Sequence, residues 1–120
     1  MADTNEETEA DRLSVDQATV GGVTVVTVSG EVDHHTSGVL RRALLPEDPA
    51  EPARTVADFS GVAFMDSSGI NVLIAAHQAH EPVGWLRLAG VRSTVLRTLE
   101  IVGLTTLIPC YPSVGDALQD

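Results

Sequence analysis

From residue 13 onward, runs rich in β-branched residues alternate with single stretches of helical spacing, and this alternation constrains the fold more than any other feature. Two strands separated by one helix need a crossover connection, so they lie parallel in one sheet. Val15, Thr19 and Val20, then Gly21-Gly22, then Val23, Val25, Val26 and Val28 up to Ser29-Gly30 predict two hairpin strands, because both positions of a tight turn need positive φ. Val39, Leu40, Ala43 and Leu44 share a face of a first helix, after the capping candidates Asp33, Thr36 and Ser37 and before Pro46. Residues 46–52, with three prolines and three acids, read as a surface loop.

Residues 54–59 predict a third strand. Asp66 or Ser67 opens a second helix with Ile70, Leu73, Ile74 and His77 on one face, stopped by Pro82. A fourth strand follows at 83–89, then a helix from Ser93 with Val95, Leu96, Leu99 and Val102 inward and Gly103 as its stop. Residues 105–110 read as a fifth strand, and Ser113 with Asp116 three residues later caps a last short helix carrying Val114, Ala117 and Leu118. The order ββαβαβαβα is α/β: a mixed, mostly parallel sheet of about five strands with about four helices.

At 120 residues, with 43% hydrophobic and 20% charged residues, the chain suits one domain. Residues 1–12 are expected to form an acidic, disordered tail and 13–120 the domain. The tail carries Asp3, Glu6, Glu7, Glu9 and Asp11 with no large apolar residue after Met1 to offset its ordering. Seventeen acids face seven bases, all arginine, for a net charge of −10. Without lysine there is no Walker loop and no Schiff-base chemistry. The negative charge opposes direct nucleic-acid binding and anionic membranes. Cys110 stands alone, the N-terminus lacks the features of a signal peptide, and no apolar run reaches a membrane span, so a cytoplasmic protein is expected.

In open α/β sheets, ligands and partners meet the loops beyond the carboxyl ends of the strands. Two such loops are expected, one before the first helix and one before the second. In the second, Asp66-Ser67-Ser68-Gly69 sets two hydroxyls and a carboxylate at a helix N-terminus, where free N–H groups and the helix dipole favour negative charge. The plainer reading of the tetrapeptide is an N-cap followed by a glycine that permits close packing.

The stretch Gly30-Glu31-Val32-Asp33-His34-His35-Thr36, taken with Asp58-Phe59-Ser60-Gly61-Val62-Ala63-Phe64-Met65-Asp66-Ser67-Ser68-Gly69-Ile70, closely resembles the STAS domain of bacterial anti-sigma factor antagonists. The resemblance implies the STAS fold and a regulatory protein that is not an enzyme. The unphosphorylated form would bind an anti-sigma factor serine kinase and release the sigma factor. Phosphorylation would switch it off, and a separate serine phosphatase would reset it. By the same resemblance the acceptor is Ser67. Asp33 and Asp66 would shape the local field and the kinase contact, and Ser68 and Gly69 the loop geometry. No cofactor is implied, because ATP and magnesium belong to the kinase. Asn71 departs from the family pattern, in which glycine is frequent.

Three other readings compete. A serine hydrolase would use Ser67 as nucleophile with Asp33, His34 and His35 nearby, but Asp-Ser-Ser-Gly is not a nucleophile elbow. A metal site would draw on His34, His35, His77 and His80, yet no carboxylate is spaced with them; the plainer reading packs His77 on the apolar face. A STAS scaffold or a small-molecule or nucleotide sensor would keep the fold without a phospho-switch. Phe59, Phe64 and Met65 are expected as core or rim packing and Trp85 as strand packing. Arg41 and Arg42 are expected as solvated charge.

Overall fold

The structure is a computed structural model and describes residues 12–48 and 51–119. The expected acidic tail therefore lies outside the described residues, Arg12 excepted. The elements are β1 (Leu13–Val20), β2 (Val23–Val32), α1 (Ser37–Leu44), β3 (Arg54–Met65), α2 (Ser67–His80), β4 (Trp85–Ala89), α3 (Ser93–Ile101), β5 (Cys110–Tyr111) and α4 (Val114–Ala117). One sheet of order β1-β2-β3-β4-β5 holds them, with β1 antiparallel to β2 and the remaining neighbours parallel. Gly21 and Gly22 turn the hairpin at φ 56° and 81°, the left-handed values that the sequence demanded.

One face of the sheet carries the main core. Val26 and Val28 of β2, Ala57 and Phe59 of β3, and Leu86 and Leu88 of β4 meet Leu40 and Leu44 of α1, Leu73 and Ala76 of α2, and Val95 and Leu99 of α3. The other face has a smaller cluster, in which α4 lays Ala117 over Val23, Val56 and Ala89. Arg87 closes that face. Its guanidinium stacks 3.8 Å from the Trp85 ring centroid and donates to the carbonyls of Ala117 and Gln119 at 2.8 and 3.2 Å, so the last turn is tied to β4.

Several elements differ from the sequence reading. β2 does not end at Ser29-Gly30 but runs to Val32, and β3 does not end at Phe59 but runs to Met65. The register between them shifts twice, between Thr27 and Ser29 and between Gly30 and Glu31, and β3 bulges at both places. The buried residues of β3 consequently fall at Phe59, Val62 and Met65, a spacing of three that does not read as alternation. β4 begins at Trp85 rather than at 83, with Val83 left exposed.

The expected fifth strand at 105–110 is instead a 3-10 turn, Leu104–Thr106, followed by the two-residue β5. Gly103 enters that turn at φ 80°, and its carbonyl accepts from the Thr106 hydroxyl at 2.8 Å. Leu104 and Ile108 are the buried pair, four apart as in a helical turn. Val102, expected inward, is exposed because α3 has already ended.

His80, and not His77, is the core histidine of α2, at 2% exposure. Its Nδ1 lies 2.7 Å from the Ala76 carbonyl, which can only accept, so Nδ1 carries the proton and Nε2 accepts from the Thr55 hydroxyl at 2.9 Å. The neutral imidazole thereby ties the end of α2 to the start of β3. Burial is the main cause that pushes its pKa below the ordinary 6.5, and the charge of nearby His77 adds to it.

Gly30 has φ +118°, and a Cβ there would stand 2.0 Å from the Arg12 carbonyl oxygen, which accepts from the Glu31 amide at 2.7 Å. Gly30→Ala is expected to lower unfolding free energy by on the order of 3 kcal/mol in urea denaturation, combining left-handed strain with overpacking. For His80 the unfolded chain takes up a proton first as pH falls. Stability is therefore full above the ordinary pKa of 6.5 and declines below it. Between about pH 7.5 and about pH 5 the wild type should lose more stability than His80→Gln, and equal slopes would remove His80 from the acid response.

Candidate functional site

The site is built where β2 and β3 end side by side. Val32 pairs with Met65, and the Asp66 amide donates to the Val32 carbonyl at 3.1 Å. The next residues, Asp33 and Asp66, are thus set about one strand spacing apart, roughly 5 Å. Each acid then caps the turn that follows it.

Asp66 is the N-cap of α2. Its backbone is extended, and its Oδ1 accepts from the Ser68 amide at 2.8 Å while its carbonyl takes the Gly69 and Ile70 amides. The cap reading of the tetrapeptide therefore holds on Asp66, which leaves the hydroxyl of Ser67 outside the cap. Ser67, the first residue of the helix, is exposed, and among the described residues its hydroxyl has no hydrogen-bond partner. Ser68 is half-buried.

Gly69 is buried for a steric reason: a Cβ would stand 2.5 Å from Met65 Cγ and 2.9 Å from Val32 Cγ1. Only a residue without a side chain lets α2 sit directly on the two strand ends. That contact fixes the angle at which Ser67 faces solvent.

Asp33 has two jobs. Its Oδ1 accepts from the His35 and Thr36 amides at 2.9 and 3.1 Å, an Asx-type turn that leads into α1. Its Oδ2 pairs with the guanidinium of Arg12, which also lies 3.7 Å from Glu31. Partial burial pushes its carboxyl up, but the Thr36 and His35 amides and then Arg12 outweigh it, and the pKa lies below the ordinary value. Thr36 is buried and locks the turn, its hydroxyl donating to the Glu31 carbonyl at 2.8 Å and accepting from the Asp33 amide at 3.0 Å.

The structure thus brings Asp33, Asp66, Ser67, Ser68 and Gly69 to one end of the sheet. His34 and His35 stack on each other in the same loop, their ring centroids 4.0 Å apart. Among the described residues no histidine bonds to Ser67, and no three of His, Cys, Asp and Glu come together as a metal set. No helix of the described residues is long and apolar enough to cross a membrane.

Sequence reasoning passed over Arg12, while Thr36, one of the capping candidates, stands at the N-cap of α1. Arg12 could have been found as the one base beside five acids. Of the three residues expected as core or rim packing, Phe59 and Met65 are buried and Phe64 is 49% exposed, at the rim. Phe64 lies two residues before Asp66 and lines a cleft of about 180 Å³ with Thr94, Val95 and Thr98 of α3. Larger clefts of about 330 and 370 Å³ lie elsewhere, one at the opposite end of the sheet beside Arg54 and Thr55, the other beside Cys110 and Tyr111.

The chain is 33% identical over 104 residues to an anti-sigma F factor antagonist of Paenibacillus polymyxa, covering 82% of this chain and 86% of the relative. It is 30% identical over 111 residues to the anti-sigma-F factor antagonist RsfB of Mycobacterium tuberculosis, covering 90% and 88%. The crystal structure of an anti-sigma factor antagonist from Mycobacterium paratuberculosis superimposes with a TM-score of 0.81 at 29% identity, covering 90% of this chain and 92% of that one. The STAS domain model matches residues 14–117, a span that takes in every strand and helix described above save the first residue of β1, and the chain belongs to the STAS domain family.

Proposed function

We propose that this protein is an anti-sigma factor antagonist whose unphosphorylated form binds an anti-sigma factor serine kinase, so that the sigma factor is released. Phosphorylation of Ser67 ends that binding, and a serine phosphatase restores it. The observation that carries this reading is Ser67 itself. It is an exposed hydroxyl without a hydrogen-bond partner among the described residues, on the first residue of α2 and beside the acids that follow β2 and β3. The names of the two relatives support the antagonist role. The pathway places the protein in the cytoplasm.

Chemically, Ser67 Oγ attacks the γ-phosphorus of an ATP held by the kinase. The new P–O bond forms as the bond to the departing ADP breaks, and the hydroxyl proton passes to a base on the kinase. This protein supplies the nucleophile and no catalysis. His34 and His35 lie against each other in the loop after β2, and no histidine among the described residues bonds to Ser67.

The product carries about −1.5 to −2 charges at pH 7. Helix N–H groups favour that charge, and Asp66 and Asp33 oppose it. At a docked interface the phosphate must lose water beside two carboxylates. A penalty of about 3 kcal/mol there would weaken binding roughly 150-fold. Gly69, buried against Met65 and Val32, sets the frame in which the hydroxyl is offered.

Mass spectrometry of the protein from its native host, under phosphatase inhibition, should show a partial shift of about 80 Da on the peptide bearing Ser67, absent in Ser67→Ala. A protein unmodified under all growth and stress conditions would contradict the switch. Ser67→Ala should hold the kinase with wild-type affinity in the presence of ATP, whereas the wild type should be released over the same incubation. Equal release of both would move the acceptor away from Ser67.

A further inference from the structure

We propose that a phosphate on Ser67 takes Arg12 away from Asp33. This inference rests on the reading of Ser67 as the acceptor and adds a moving part to it.

The Arg12 guanidinium is the mobile half of its pair. Its side chain is 41% exposed, while that of Asp33 is 13% exposed and held by the His35 and Thr36 amides through the other oxygen. Asp33 would keep its turn without Arg12. Among the described residues Arg12 has no such second anchor for its side chain beyond Glu31, at 3.7 Å.

Ser67 stands within reach. Asp33 follows Val32, whose carbonyl holds the Asp66 amide, and Ser67 is the next residue. The pairing of Val32 with Met65 therefore sets Asp66 about one strand spacing from the acid that Arg12 already touches, and Ser67 is the residue after it. A swing of one long side chain covers that interval.

The other described arginines are committed or placed elsewhere. Arg41 and Arg42 are exposed on α1, Arg54 begins β3, Arg87 lies on the opposite face over Trp85, Arg92 donates to the Ser60 carbonyl, and Arg97 is exposed on α3.

Charge decides the exchange. Asp33 offers Arg12 one free carboxylate oxygen and one negative charge. A phosphoserine offers nearly two charges and three acceptor oxygens, the better partner for a forked guanidinium. The swap screens the phosphate in part and leaves Asp33 Oδ2 and Glu31 bare. The partner then meets two uncovered carboxylates that the unphosphorylated protein had covered.

The test installs phosphoserine at position 67 by genetic encoding, so no kinase takes part, and follows the phosphate by ³¹P NMR against pH. The charged and titratable groups on the elements around it are Glu31 in β2, Asp33, His34 and His35 in the loop that follows, Asp66 at the cap and Arg92, which bonds the Ser60 carbonyl, and these are kept identical throughout. The phosphate in the Arg12 protein should bind its second proton about threefold more weakly than in Arg12→Gln, with Arg12→Lys recovering part of the difference. The His35 and Thr36 amide shifts report that the turn is intact in each variant. Superimposable titrations would overturn the proposal. Should Arg12→Gln not fold, the Arg12 Nε–Hε resonance in the otherwise unaltered protein decides: it should move on phosphorylation, and an unmoved resonance would overturn the exchange. An exchange seen here in a protein that its host never phosphorylates would count against the switch and not against the arginine.

Discussion

Everything at the site depends on one backbone hydrogen bond, the 3.1 Å contact from the Asp66 amide to the Val32 carbonyl, with the register that makes it possible. Parallel strands that end together deliver the residues after them side by side, and here those residues are two aspartates. A shift of one residue would part them and turn Met65 out of the core. The two bulges in β3 absorb its two extra residues relative to β2, so that the strands finish level. Gly69 then lets α2 descend onto the paired ends with no side chain in between.

The result is an economy of negative charge on a very acidic protein. Each carboxylate at the site is occupied: Asp66 caps α2, and Asp33 divides its oxygens between the turn before α1 and Arg12. Ser67 is the uncommitted group between them. Among the described residues added charge there has no empty cationic pocket to enter, which is why local electrostatics, with one arginine able to change sides, carries the proposed signal in place of refolding. Beneath, the neutral His80 and the stacked Arg87 hold the far ends of α2 and of the C-terminal turn, so the strand ends are presented on a rigid base.

Much of this was legible in the sequence, for definite reasons. The Gly21-Gly22 hairpin, the mostly parallel sheet and the start of α2 follow from local rules that tertiary contacts did not override. The extension of β3 was not legible, because bulges turned a period of two into Phe59, Val62 and Met65. The expected fifth strand failed because four-residue spacing of Leu104 and Ile108 is a helical signal in so short a run. His80 was not picked as the core histidine, since its buried place depends on Thr55, a partner 25 positions away. At the site, the motif residues were found and Arg12 was not. Its role comes from a contact 21 residues off, between the first turn of the domain and a loop that the sheet brings back to it.

The central claim is that charge on Ser67 controls the partner. The most direct measurement is the affinity of the anti-sigma factor kinase for protein carrying authentic phosphoserine at position 67, against the unmodified protein, by titration calorimetry in the same buffer. The account predicts a loss of about two orders of magnitude in affinity, with the circular dichroism of the free protein unchanged. Equal affinities would contradict it, and so would a loss of affinity accompanied by unfolding of the free phosphoprotein.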